Sequence, residues 1–214
     1  KMKNLLLSIL SLLLLSVGAY AQNAPVLTLT GNQSTDEDVT LSGVSVLFAD
    51  VDGTDTHTIT VVSDEANVSV VGLSGQTTGS TYDLVPVAEW SGTADITVTV
   101  TDNGIPALAD VETYTLTVNS VNDAPTFTTS AVTAAVQDAP YTYNITTVDI
   151  DGDAINVSAP TSPDWLTFTP GAAGSGTGVL SGTPTNDDVT GNNSVVLTVT
   201  DGTASTNQSF TIVV

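Results

Sequence analysis

The sequence has 214 residues, no cysteine, a single histidine and a formal net charge of −21. Its length allows one or two domains. The lack of cysteine excludes a disulfide scaffold, a thiolate nucleophile, a lipid-modified N-terminal cysteine and any Cys-ligated zinc or iron–sulfur site.

In chain order, the two basic residues come first, as Lys1 and Lys3. An apolar run from Leu5 to Val17 follows, and then Ala19-Tyr20-Ala21. A basic start, a short apolar stretch and a small-residue exit read as a secretory signal peptide over residues 1–21, cut after Ala21. The run is too short for a comfortable membrane span. The expectation is a secreted, extracellular or cell-surface protein with no transmembrane span in the mature fragment. Beyond Ala21 there is no Lys or Arg to set against 23 Asp and Glu. Phosphates, nucleic acids and carboxylate substrates need cationic clamps, so none of them is an expected partner. An anionic membrane surface would repel the chain.

Short runs of Thr, Val and Ile follow, bounded by Gly, Asp, Asn and Pro, and they read as strands. The first unit predicts strands near 26–30, 39–48, 56–62, 66–71, 81–88, 94–101 and 111–121. In Ala94-Asp95-Ile96-Thr97-Val98-Thr99-Val100 the apolar residues fall on one face and Asp and Thr on the other. Ala24-Pro25 then recurs as Ala124-Pro125. Asp50-Val51-Asp52-Gly53 recurs as Asp149-Ile150-Asp151-Gly152, and Thr101-Asp102 as Thr200-Asp201, both at an offset of 99 positions. A period this long marks a whole domain rather than a solenoid repeat. The domains are placed at 23–122 and 123–214. The second predicts strands near 131–136, 141–148, 154–158, 165–169, 177–181, 194–200 and 207–214. Seven strands in about a hundred residues define the expected class: all-β, two tandem seven-stranded immunoglobulin-like sandwiches. Trp90 and Trp165 are expected to pack on the cores or at the poles.

On that frame the B–C and F–G loops gather at one pole. Asp50, Asp52 and Asp102 belong to this pole of the first domain; Asp149, Asp151, Asp153 and Asp201 belong to that of the second. Asn122 and Asp123 form the linker. Asp36, Glu37 and Asp38 fall in the first A–B loop, and Glu89 in the E–F loop, at the opposite end. Crowded carboxylates repel, and with no Lys or Arg to relieve them a hard divalent cation is the natural remedy. Calcium, which takes six to eight oxygens in flexible geometry, suits them better than magnesium. An EF-hand at Asp149 is excluded, because its twelfth position is Pro160 and no flanking helices are predicted. His57 is the sole imidazole. It reads as a satisfied strand residue rather than a catalytic base, and no enzyme activity is expected.

These stretches carry a family resemblance. Thr101-Asp102-Asn103-Gly104-Ile105-Pro106-Ala107-Leu108, Asp50-Val51-Asp52, Asp36-Glu37-Asp38 and Val121-Asn122-Asp123-Ala124-Pro125-Thr126-Phe127 resemble the motifs of bacterial cadherin-like tandem repeats. The second domain is more similar to immunoglobulin-like repeats of the dystroglycan-type cadherin-like kind. There the matching stretches are Asp149–Asp153, Pro163-Asp164-Trp165-Leu166, Leu180-Ser181-Gly182-Thr183-Pro184 and Val199-Thr200-Asp201-Gly202. The resemblance implies calcium between consecutive domains, stiffening a rod used in adhesion or display. The implied ligands at the junction are Glu37, Asn122, Asp123, Asp149, Asp151 and Asp201. Asp50, Asp52 and Asp102 would hold an ion at the N-terminal pole of the first domain, and Glu89 is the weakest match. The linker departs from the pattern at Ser120, and Gln137 replaces the equivalent of Glu37, which implies fewer ions. The partners expected are calcium, further repeats of the same chain, and cell-surface proteins or glycans. A carbohydrate-binding or spacer module of a larger secreted enzyme is the alternative. The chain is expected to continue beyond Val214.

Overall fold

A computed structural model describes residues 22–214. The segment read as a signal peptide, including Lys1 and Lys3, lies outside the described residues. The chain divides into two compact units, one ending at Ser120 and the other comprising Val121–Val214.

The first unit contains β1 (Val26–Thr28), β2 (Gln33–Asp36), β3 (Leu41–Ala49), β4 (His57–Ser63), β5 (Val68–Val71), β6 (Ser80–Pro86), β7 (Gly92–Asp102) and β8 (Ala109–Asn119). They form two four-stranded sheets, β1-β3-β6-β5 and β2-β8-β7-β4. Alternation drives the layering. In β7, Ala94, Ile96, Val98 and Val100 point into the core, while the intervening Asp and Thr face outward. Val46, Leu84 and Leu116 meet them. Full burial of side chains of this size contributes roughly 1.5–3 kcal/mol each. The phenols of Tyr82 (β6) and Tyr114 (β8) meet inside at 2.6 Å and tie one sheet to the other. Burial, first of all, raises the pKa of both tyrosines. Where β3 slips register against β6, Gly43 takes the left-handed φ of +74° that such a bulge demands.

The sequence reading put Asp36 in a loop, but Asp36 ends β2. This strand pairs parallel with β8, from Gln33 opposite Leu116 to Asp36 opposite Asn119. Its residues, Gln-Ser-Thr-Asp, carry no aliphatic signal. Only Thr35 is buried, and backbone pairing defines the strand.

The second unit contains β9 (Thr126–Phe127), β10 (Tyr141–Val148), β11 (Asn156–Thr161), β12 (Leu166–Pro170), β13 (Thr177–Gly182), β14 (Ser194–Thr200) and β15 (Ser205–Thr211). Its sheets are β12-β13-β10-β9 and β11-β14-β15. Tyr141, Tyr143 and Ile145 alternate inward from β10, and Val195, Leu197 and Val199 from β14. Trp165 packs on this core, donates its indole N–H to Asn193 Oδ1 at 2.8 Å and meets Tyr141 edge-on. Trp90 packs on the first core. The predicted strand at 131–136 is corrected. Pairing occurs at Thr126–Phe127, and the later stretch contributes a lone parallel bridge, Ala134 to Val213. Val132 and Val136, which suggested a strand, are exposed, whereas the small Ala131 and Ala135 face the core. A turn is nonetheless shared by both units: Asp38 and Asp138 have the same positive φ of 61°.

Candidate metal centres

Each unit ends its long strands in carboxylates at equivalent places. In the first, β3 stops at Ala49 just before Asp50, β7 ends on Asp102, and β4 opens with His57 paired to Asp102. Asp50 Oδ1 accepts the Asp52 N–H at 2.8 Å, a local turn that the Asp-x-Asp-Gly sequence favours. Its Oδ2 lies 2.9 Å from His57 Nε2. Phe48 leans on the imidazole, with ring centroids 4.7 Å apart. Asp52 Oδ2 accepts the backbone N–H of Asn23 at 2.7 Å. The Gln22 carboxamide donates to Asp55 at 2.7 Å and to Asp102 at 3.1 Å. Oxygens of Asp50, Asp55 and Asp102 lie within 4.8 Å of one another. Asp102 Oδ1 also accepts the N–H groups of Leu108, at 2.9 Å, and Gly104, at 3.0 Å. Foremost the Leu108 N–H, then those of Gly104 and Gln22 and the His57 charge, lower the Asp102 pKa below the ordinary carboxylate value.

The second unit repeats the frame with different occupants. β10 stops at Val148 before Asp149, and β14 stops at Thr200 before Asp201. Asp201 Oδ1 accepts Thr203 N–H at 2.5 Å and Ala204 N–H at 2.6 Å, and its Oδ2 accepts the Asn122 amide at 2.9 Å. The Ala204 N–H first, and then Asn122, lower its pKa. Asp151 Oδ2 accepts the Asp123 N–H at 2.8 Å. Asn122 and Asp123, near the start of this unit, are thus tied to both loops. Asp149 differs from its counterpart Asp50. It is 8% exposed, and its Oδ1 accepts only the Asp153 N–H, at 3.3 Å. Its Oδ2 is buried with no hydrogen-bond partner. Where Asp50 meets His57, the position 99 residues on is Asn156.

The remaining predicted acids sit elsewhere. Asp36, Glu37, Asp38 and Glu89 lie at the far end of the first sandwich, beside the end of β8 and ahead of β7, away from Asp50, Asp52 and Asp102. Asn119 donates its side-chain amide to Asp36, and its carbonyl accepts the Glu37 N–H at 2.9 Å. Asp38 Oδ1 accepts the Glu89 N–H at 3.1 Å, and Glu89 itself has a φ of +60°. The sequence reading missed Asp55, Gln22 and Asn23 at the first pole. Asp55 was within reach, because Asp50, Asp52 and Asp55 share one short loop; Gln22 and Asn23 carry no signal of their own. His57 is satisfied, as expected.

Bare carboxylates, side-chain amides and no ammonium or guanidinium make a donor set for a hard cation. In the second unit the same kinds of donor recur pairwise: the Asn122 amide meets Asp201 and the Asp123 N–H meets Asp151, while Asp149 lies two residues before Asp151. The oxygen of Asp149 without a partner is the kind of buried atom a cation satisfies.

The fold places both units among immunoglobulin-like and cadherin-like β-sandwiches. Residues 124–214 match the He_PIG family model, described as "Putative Ig domain". No curated protein matches the sequence. Among solved structures, protocadherin gamma C5 EC1-3 is similar at 16% identity and a TM-score of 0.50, over 90% of this chain and 68% of that one. The protocadherin GammaB4 extracellular domain is 21% identical, with a TM-score of 0.42, over 89% and 33%. The endo-fucoidan hydrolase MfFcnA4, from glycoside hydrolase family 107, is 25% identical, with a TM-score of 0.39, over 91% of this chain. The present chain spans 29% of that hydrolase. Among the described residues no helix is long and apolar enough to cross a membrane.

Proposed function

We propose that this chain is a non-catalytic, calcium-binding extracellular repeat module that stiffens a rod for adhesion or display. One observation carries the reading: the buried Asp149 oxygen without a partner, in a pole whose other side chains are oxygen donors. Burying an uncompensated carboxylate costs several kcal/mol in water-excluded surroundings. A divalent ion at Asp123, Asp149, Asp151 and Asp201, with Asn122 adding its amide oxygen, removes that cost. Asn122 and Asp123 begin two residues after the first unit ends. An ion there clamps the connecting segment onto the second unit's loops. Asp50, Asp52 and Asp102 form a separate pole, in which His57 and Gln22 already meet the carboxylates; it binds more weakly.

Extracellular calcium modules work near 10⁻⁴–10⁻³ M, so the effect belongs at about millimolar calcium. Small-angle scattering of the whole chain in calcium and in chelator tests it. Calcium narrows the ensemble to an extended rod, and Asp149→Ala with Asp151→Ala removes the difference while both sandwiches stay folded. Identical profiles for wild type and double variant in both conditions would reject the calcium reading.

A further inference from the structure

From the geometry of the loop after β7 we infer that Asn103-Gly104 is a self-modifying site, which loses its side-chain amide and adds a carboxylate to the first unit's pole. It is the only Asn-Gly pair in the sequence. Two groups, the Asp102 carboxylate and the Thr56 N–H, meet the reacting atoms. The Gly104 N–H, the nucleophile, donates to Asp102 Oδ1 at 3.0 Å. The Thr56 N–H donates to Asn103 Oδ1 at 2.9 Å, so it polarises the carbonyl under attack and stabilises the oxyanion that forms. Asn103 is exposed, which gives water access to the departing amide. Gly104 has no side chain to hinder closure. The loop is also held in place, since the Asp102 N–H donates to the Leu108 carbonyl at 3.0 Å and Leu108 N–H returns to Asp102 Oδ1.

The step balances without an oxidant or cofactor. The Gly104 nitrogen bonds to Asn103 Cγ as its proton passes through the Asp102 carboxylate and water. The Cγ–Nδ2 bond breaks and ammonia leaves with that proton, giving a five-membered succinimide. Water then opens the ring at either carbonyl and leaves an aspartyl or isoaspartyl residue at position 103. Asp102 acts as a positioning residue and proton relay. The product places a further negative charge beside Asp50, Asp55 and Asp102, so the first pole changes with the age of the protein. At the second pole the corresponding pair is Gly202-Thr203, which has no amide to lose. The inference is independent of the calcium reading.

The test compares the rate of amide loss at position 103 in the intact folded chain and in the same chain held unfolded in urea, at one pH and temperature, in chelator. Peptide mapping by mass spectrometry reads the product, and an isoaspartate-specific assay confirms it. Positioned proton acceptors and oxyanion donors each accelerate reactions roughly a hundredfold or more in enzymes. An acceleration of at least about tenfold in the folded state is expected from this simpler arrangement. An equal or slower rate in the folded chain overturns the inference, because the same hydrogen bonds would then be protecting the amide. Asp102→Asn should abolish the acceleration; a variant that keeps both the fold and the fast rate also overturns it. If Asp102→Asn fails to fold, the comparison in the unaltered chain still decides.

Discussion

Replacing Asp149 by Asn should reverse the order of stability between calcium and chelator. Without calcium the wild-type carboxylate keeps one buried oxygen unpaired. An unsatisfied buried polar group costs about 1–3 kcal/mol, and a charged one more. Asp149→Asn removes the charge and keeps the oxygen that accepts the Asp153 N–H. It should therefore stabilise the second unit in chelator by about 1 kcal/mol. For a unit of this size that is about 4–8 °C in melting temperature. In calcium the order inverts. A hundredfold excess over Kd adds about 2.7 kcal/mol to the wild type, and the variant loses most of it. Melting is best followed through Trp165, whose indole is fixed by Asn193 in the second core, in a Trp90→Phe background. Lower stability of Asp149→Asn in chelator, or equal calcium stabilisation of both proteins, would refute the reasoning.

Other perturbations separate the remaining forces. Tyr82→Phe strands the Tyr114 hydroxyl in the core and should cost about 1–3 kcal/mol in urea unfolding of the first unit; the double Phe variant should cost less than the two single losses combined. The pKa values of Tyr82 and Tyr114 are raised, and that of Tyr141 is pushed up to about 12. Their neutral forms stabilise fully below about pH 10, and this contribution should fade as pH rises above it in alkaline melts. Asp102 and Asp201 are shifted the other way. Their contribution is complete above about pH 4 and should be lost as pH falls further through the folded-state values. Hydrolase assays on glycans should show no turnover, and a robust rate abolished by His57→Ala would contradict a non-catalytic role.

Strands whose side chains alternate were legible one by one. β7 announces itself because Ala94, Ile96, Val98 and Val100 point inward between outward Asp and Thr, and β14 because Val195, Leu197 and Val199 point inward on one face. Asp50, Asp102, Asp149 and Asp201 were equally legible, since a 99-residue repeat fixes them at matching strand ends. What escaped notice lacks a local signature. β2 exists because its backbone finds β8, about eighty residues later in the chain. Gln22 enters the first pole only through two carboxylates far from it in sequence. The difference between Asp50 and Asp149 was hidden for the same reason. The same Asp-x-Asp-Gly pattern surrounds both, and the imidazole that satisfies the first comes from the start of the next strand.

The parallel pairing of β2 with β8 has a mechanical consequence. β2 lies near the beginning of the first unit and β8 finishes it, so tension along the chain pulls these neighbours in opposite directions along their shared axis. All the hydrogen bonds between Gln33–Asp36 and Leu116–Asn119 then bear the load together in shear, rather than parting one at a time as in a peeled hairpin. The second unit repeats the arrangement in smaller form, with one parallel bridge between Ala134 and Val213. Stretched from its ends, the first unit should yield at the higher force, and the second should act as the more extensible link.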